Sequence, residues 1–396
     1  MVALLLALAW LGGFREVWVY GAPLGGYVEL CGVVDGLVAA AAVGNGSRLV
    51  LLEPELGVAR LEAGLGGELL GCGESGGVVA AVAGVKTSTP WGSTRWRRLV
   101  VVYAAGGPGG EAVVRRMALD SRGCGLSVAP LEGVRRGVLV SRCCSGDGGG
   151  VLEVYPVPGS LYYRLVFSGP SLRVEAYDAA TGRLVWSNAT SLPVVHTKPL
   201  PAPVFGEAAP GGGLALEVPL LDGNVAVYIL PGRALAAKRP WEPPPPWLHP
   251  GASAGGGGGA EKKRVARALA DVLGARSSLN VVYTTRAYGL LYVVAGYGEN
   301  TLLAVVGPHG LQWLRGLQGA PWGAAEPLPG IVVVDVDGVL HAYRLLPALS
   351  PPMPWPLALL AAWAWLLAPL AAVAALLIFL GSLPEAPCVP LFRRCP

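Results

Sequence analysis

The sequence predicts an all-β fold: a β-propeller of about seven four-stranded blades, with six to eight as the bounds, carried by one C-terminal transmembrane helix. Three observations lead there. Short runs of Val, Leu and Ala alternate with turn residues in a chain holding 58 Gly and 35 Pro, the composition of strands and tight turns. Strand-turn-strand units recur at a spacing of roughly 40 residues, each able to bury its face only against a neighbour. Near the end, Leu357 to Leu383 carries no charged side chain. A two-sheet β-sandwich with inserted hairpins is the alternative, since it too requires many short strands.

The two ends set the expected topology. Met1 to Gly13 is apolar, too short to span a bilayer and closed by small residues before Arg15 and Glu16; it reads as a secretory signal peptide over 1–13, although no basic residue precedes the apolar run. Residues 355–383 read as the transmembrane helix, because a bilayer core needs about 20 apolar helical residues. Trp355, Trp363 and Trp365 suit a headgroup boundary, and Arg393 and Arg394 favour a short cytoplasmic tail over 384–396. Pro369 is expected to kink the span. Residues 14–346 are then an extracellular ectodomain of a single-pass protein in the cell membrane. No other run is long enough: Gly36 to Leu52 is broken by Asn45, Ser47 and Arg48, and Gly76 to Val85 is short.

A net charge of +4 with 14% charged residues leaves no broad basic surface to grip nucleic acid, so that partner class is set aside. Of the seven cysteines, Cys31, Cys72, Cys124, Cys143 and Cys144 fall in the outer portion and Cys388 and Cys395 in the tail. An odd outer count leaves a thiol free or paired between chains. No C-x-x-C pair or His cluster points to zinc, and no metal site is expected.

The most specific pattern is Ala176-Tyr-Asp-Ala-Ala-Thr-Gly-Arg-Leu-Val-Trp186, which follows the strand Leu172 to Glu175. Asp178 can accept hydrogen bonds from the turn, Thr181 and Gly182 form it, Gly182 supplies a positive φ, and Trp186 offers a large packing surface. A degenerate copy runs from Leu51 to Leu61, with Glu53 at the Asp position, Gly57 at the Gly and Leu61 in place of Trp. It is preceded by Leu37 to Val43, the turn Gly44-Asn45-Gly46, and Arg48 to Leu52. Leu290 to Ala295, Thr301 to Val306, then Gly307-Pro-His-Gly310 and Trp313 repeat the order with a shorter turn.

Further hairpins are Ile331 to Val334 with Val339 to Arg344 around Asp335-Val-Asp337-Gly338, Leu214 to Leu221 with Val225 to Leu230, and Leu99 to Ala104 with Ala112 to Leu119. Gly137 to Arg142 with Gly150 to Val154 can supply another unit. The last hairpin lacks outer strands, so Glu16 to Tyr20 and Tyr27 to Leu30 are expected to complete it and close the ring, removing its free edges. The motif resembles the tryptophan-docking pattern A-x-D-x-x-T-G-x-x-x-W of the pyrroloquinoline-quinone-like β-propeller repeat family.

Residues 235–278 read as an insert. Pro240 to Pro250 is proline-rich, Gly255 to Gly259 is a glycine run, and Ala260 to Arg276 is helix-like, with Val265, Ala268, Leu269, Val272 and Leu273 on one face. A polyproline spacer, a hinge and a helix capping one side of the propeller follow. Lys262, Lys263, Arg264, Arg267 and Arg276 outnumber Glu261 and Asp271, so contact with anionic lipid or a partner is the second reading of that helix.

Candidate chemistry is sparse. The family resemblance implies that adjacent cysteines such as Cys143 and Cys144 form a strained ring against pyrroloquinoline quinone in dehydrogenases that also hold calcium and use an aspartate base. No acid here fits that base or those ligands, so no cofactor and no catalytic residue are expected, and a membrane-bound quinoprotein dehydrogenase is the alternative function. Cys143 and Cys144 are instead expected at a hairpin turn, one of them able to pair with Cys124. His196, His249, His309 and His341 are scattered, and Asp335 and Asp337 read as turn formers. Asn45 and Asn188 satisfy the glycosylation pattern. The expected function is non-enzymatic: a cell-surface scaffold for protein or glycan partners, anchored in lipid by its C-terminal helix. An accessory or sensor subunit of a membrane complex is the remaining alternative.

Overall fold

A computed structural model describes residues 13–347, except 23–24, 45, 89–93, 108–109, 135, 147–148, 193–197, 210–212, 238–261, 264, 268, 271–278 and 309. The chain is all-β. Strand β1 (Gly13–Gly21) is followed by a first antiparallel meander, β2 (Tyr27–Val34), β3 (Leu37–Val43), β4 (Arg48–Leu52) and β5 (Ala59–Gly64). A second comprises β6 (Glu68–Ser75), β7 (Val78–Ser88), β8 (Thr94–Gly106) and β9 (Ala112–Asp120). The hairpin β10 (Cys124–Glu132) and β11 (Val138–Gly146) precedes β12 (Gly149–Val157), β13 (Leu161–Ser168), β14 (Ser171–Asp178) and β15 (Leu184–Ser191).

The next meander is β16 (Phe205–Ala209), β17 (Gly213–Leu220), β18 (Gly223–Leu230) and β19 (Arg233–Ala237). Then come β20 (Asn280–Ala287), β21 (Leu290–Tyr297), β22 (Asn300–Gly307) and β23 (Gly310–Gln318), and lastly β24 (Pro321–Leu328), β25 (Ile331–Val336) and β26 (Val339–Leu346).

Strand β1 pairs antiparallel with β26, from Gly13 opposite Leu346 to Gly21 opposite Val339, so the chain's first strand completes its last sheet. The expected closure is present through Glu16 to Tyr20. Tyr27 to Leu30 does not join it: β1 already occupies the open edge of β26, and Tyr27 to Leu30 instead starts β2, which pairs with β3. Gly13 also belongs to this sheet, so β1 overlaps the last residue of the expected 1–13 leader.

Neighbouring sheets share cores. One lies between β2–β5 and β6–β9, one between β6–β9 and β10–β14, and one between β12–β15 and β16–β19. Two more lie on either side of β24–β26, against β20–β23 and against β2–β5. A strand with both faces buried is apolar along most of its length, which is why β25 opens Ile-Val-Val-Val and β3 reads Val-Ala-Ala-Ala-Ala. Val332 and Val334 face one neighbour while Val333 faces the other. Sequential four-stranded meanders, stacked face to face at these five junctions and with the first strand completing the last sheet, have the architecture of a β-propeller.

The unit count differs from the favoured seven. Among the described residues the meanders are β2–β5, β6–β9, β12–β15, β16–β19, β20–β23 and β24–β26 with β1, which is six. The pair set apart as a further unit, Gly137 to Arg142 with Gly150 to Val154, falls on β11 and β12 of one ten-stranded sheet ordered β15-β14-β13-β12-β11-β10-β16-β17-β18-β19. Strand β10 joins β16 in parallel through Leu131 and Glu132. The hairpin has no outer strands to make a sheet of its own and adds to the inner edges of two existing ones.

In the insert, strand β19 runs to Ala237, and residues 262–263, 265–267 and 269–270 are helical. Val265 and Leu269 are buried against Val281, Val293, Ala295 and Ala304 of β20–β22, and Lys262 Nζ donates to the Val282 carbonyl at 2.8 Å. This apolar face is spent on the sheet, which supports the capping reading over lipid contact. The expected transmembrane helix and tail, with Cys388 and Cys395, lie outside the described residues. Among those described, no helix is long and apolar enough to cross a membrane.

Candidate functional site

The motif turn has the geometry its residues demand. Asp178 Oδ1 accepts from Thr181 N at 2.6 Å and from Thr181 Oγ1 at 2.7 Å. Gly182 N donates to the Asp178 carbonyl at 2.8 Å, with Gly182 at φ 73°. Arg115, from β9 of the preceding sheet, places its guanidinium where a Cβ on Gly182 would sit, 2.5 Å away. It donates to the Ala179 carbonyl at 3.3 Å and lies over the Tyr162 ring. Trp186 packs against Tyr163 and the core shared with β16–β19.

The degenerate copy repeats the backbone and changes the side chains. Gly57 N donates to the Glu53 carbonyl at 2.8 Å, and Gly57 has φ 68°. The Glu53 carboxylate, one methylene longer than Asp, pairs with Arg60 at 2.9 Å instead of gathering the turn. Trp18 of β1 covers Gly57, 2.7 Å from an added Cβ, and its Nε1 donates to the Pro54 carbonyl at 2.8 Å. In both copies an outer strand of the preceding sheet seats a large side chain on the motif glycine. In the third copy, Gly310 opens β23 and Trp313 stacks on Phe14 of β1, 5.7 Å between centroids.

Residues that no spacing rule singles out meet at the inner strands. The tip of the β10–β11 hairpin reaches β6, where an added Cβ on Gly71 would lie 3.0 Å from the Arg136 carbonyl. Arg136 Nη1 sits 3.0 Å from Glu29 Oε1 of β2, and the guanidinium lies 4.9 Å from the centroid of Trp322 on β24. Tyr27 meets the same Trp322 edge-on. Beside them is a cavity of about 450 Å³ lined by Tyr27, Glu29, Leu69, Gly71, Pro130 and Arg136.

Asp335 lies nearby, bonded to the β2 backbone and close enough to feel the charges of Arg136 and Glu29. It is 1% exposed, with Oδ2 accepting from Leu30 N at 3.0 Å and Oδ1 from Gly338 N at 3.1 Å. Burial pushes its pKa up to about 6, against the lowering pull of those two backbone bonds and of Arg136. Burial, then the Glu29 charge, raises the Tyr27 phenol as well. The turn reading of Asp335-Val-Asp337-Gly338 therefore holds: Asp337 and Gly338 have φ 47° and 81°, the two positive values of a type I′ hairpin. Among the described residues no His, Cys, Asp and Glu group has the spacing of a metal site.

The cysteine alternative loses its geometry. Cys144 bonds Cys124 across the β10–β11 ladder, and Cys31 bonds Cys72 between β2 and β6. Cys143 is the free, buried thiol, its pKa raised by burial. Successive residues on a strand point to opposite faces, so Cys143 faces the core while Cys144 faces its partner strand. They stand within β11 rather than at its turn, and no ring joins them. Asn188 is on β15, not at a turn, and its Oδ1 accepts from Ala234 N of β19 at 3.2 Å. Asn45, His196, His249 and His309 lie outside the described residues; His341 is in β26, 4.0 Å from Glu16, with its pKa lowered by burial.

No protein-family model and no curated protein matches the chain. Solved structures similar to it include Sqt1 of Saccharomyces cerevisiae (10% identity, TM-score 0.31, covering 84% of this chain and 99% of that one). The β-propeller domain of Cps50 (Swd1) of Myceliophteria thermophila is also similar (10% identity, TM-score 0.30, 84% and 100%). So is the WD40 domain of SCAP from fission yeast (8% identity, TM-score 0.25, 84% and 98%).

Proposed function

We propose that the protein is an interaction scaffold: a propeller held at the cell surface by the apolar segment 355–383, with its bulk outside and 384–396 in the cytoplasm, presenting the mouth at its inner strands to a protein partner. The observation that carries this reading is the convergence of Tyr27, Glu29 and Arg136 on one open cavity, with Trp322 from a third chain region packed against Arg136 and Tyr27. Stacked sheets fix such a rim rigidly, so binding costs little ordering. Aromatic and arginine side chains are the groups enriched where protein interfaces concentrate their energy.

The test places the photo-crosslinking residue benzoylphenylalanine at Tyr27, or at the exposed Tyr288 beyond the far end of β20, in the full chain on intact cells. A discrete higher-mass protein adduct from position 27 alone is expected. No adduct, or equal adducts from both positions, overturns the scaffold reading. External trypsin that leaves the propeller whole on intact cells overturns its placement outside.

A further inference from the structure

We propose that the seat formed by Trp322 and Glu29 beside the cavity at the inner strands is a receptor for an arginine side chain of a partner peptide, and that Arg136 occupies that seat here as an internal stand-in. The inference deepens the scaffold reading and rests on it. Trp322 supplies a flat aromatic face under the guanidinium, Tyr27 stands edge-on to it, and the Glu29 carboxylate sits at the cavity's rim with only 12% of its side chain exposed. A guanidinium that stacks on an aromatic face while pairing with a carboxylate uses both its planar surface and its fork of donors. Arg136 makes that pair of contacts, at 4.9 Å and 3.0 Å.

Arg136 is weakly committed to the place it holds. It stands at a hairpin tip with φ 58°, a backbone conformation in which a non-glycine residue is strained, and 38% of its side chain remains exposed. When it swings out, the Glu29 carboxylate is left lining the cavity without its cation, a costly arrangement that an incoming arginine reverses. Glu68, the further acid near Tyr27, is already paired with Lys86 at 3.0 Å. The cavity beside the guanidinium, about 450 Å³, leaves room for backbone on either side of the incoming residue. Lysine fits less well, because a compact, strongly hydrated ammonium cannot lie flat on Trp322.

Arg136→Gly removes the stand-in and relieves the positive φ. Titration with N-acetyl-arginine methylamide, followed by indole fluorescence, is expected to show about tenfold tighter binding to R136G than to the unaltered chain, and a preference over the lysine analogue. Adding Trp322→Leu to R136G abolishes that gain. Equal affinity in R136G and the unaltered chain, no arginine preference, or a gain that survives W322L overturns the inference. In the unaltered chain, saturating probe moves the NMR resonance of Arg136 Nε–H to its solvent position; an unmoved resonance overturns displacement even where R136G fails to fold. A protein adduct at position 27 without arginine selectivity removes this inference and leaves the scaffold standing.

Discussion

Asp335, buried, and Glu326, half-buried, are two carboxyls whose titrations act on stability with opposite signs. Asp335 has its folded pKa raised from 3.8 to about 6. Between those values the folded chain holds more protons than the unfolded one, so stability falls as pH rises through that window, by on the order of 3 kcal/mol at most. Asp335→Asn is expected to flatten the slope of the urea midpoint between pH 4 and 7, and an unchanged slope contradicts the assignment. Burial alone raises the Glu326 carboxyl, but hydrogen bonds from Gly330 N, Thr285 and Tyr283 outweigh it and leave the pKa lowered. Its contribution is present above the unfolded pKa and is lost as pH falls through the folded one. At pH 7, Glu326→Gln weakens three hydrogen bonds to a charged acceptor and is expected to cost about 1–3 kcal/mol in chemical denaturation.

The motif turn is an element whose glycine serves two ends, a left-handed φ and a seat for the neighbouring sheet. Gly182→Ala forces both strain and the displacement of Arg115, so it is expected to cost about 2–4 kcal/mol, against about 1 kcal/mol for Gly169→Ala. Gly169 has φ 54° and open space around its Cβ position; equal losses in the two variants, read as Tm, show that the seat contributes nothing. The turn itself was legible, because Asp, Thr and Gly at those offsets act within a few residues of one another. Its docking partners were not: Arg115 and Trp18 stand on other sheets, three or more strands ahead of their glycines, and no local pattern pairs them. Glu53 shows the limit of reading a degenerate copy, since an acid at the right offset but one methylene longer turns to Arg60 instead.

Two devices hold the whole molecule in its ring order. The Cys31–Cys72 bond ties β2 to β6 across a sequence separation of 41, and replacing both by serine is expected to lower stability by about 2–4 kcal/mol by freeing the unfolded chain. A midpoint that is the same for the double variant and the unaltered chain sinks that expectation. The second device is β1. Deleting residues 1–21 bares the β26 edge together with the core around Phe14 and Tyr343, so the truncated chain is expected to aggregate, as exposed edges do. A monomeric, folded truncation product in sedimentation would show that closure by β1 is dispensable.

By itself the sequence determined the central hairpins of most sheets, their turns and the closing role of Glu16 to Tyr20, while strands such as β6, β13 and β24 carry no such pattern. The hairpins, turns and closure follow from apolar runs, glycines at positive φ and an unfinished last hairpin, all of them local or terminal signals. It also marked the insert helix, whose spacing of Val265 and Leu269 left one face to be covered. Tertiary structure alone decided that β10–β11 adds to an existing sheet, that Cys124 pairs with Cys144, and that Tyr27, Glu29, Arg136, Trp322 and Asp335 gather at the inner strands. Edge pairing and side-chain convergence join residues up to some 300 positions apart, where contact is set by how whole sheets stack and leaves no period or spacing in the chain.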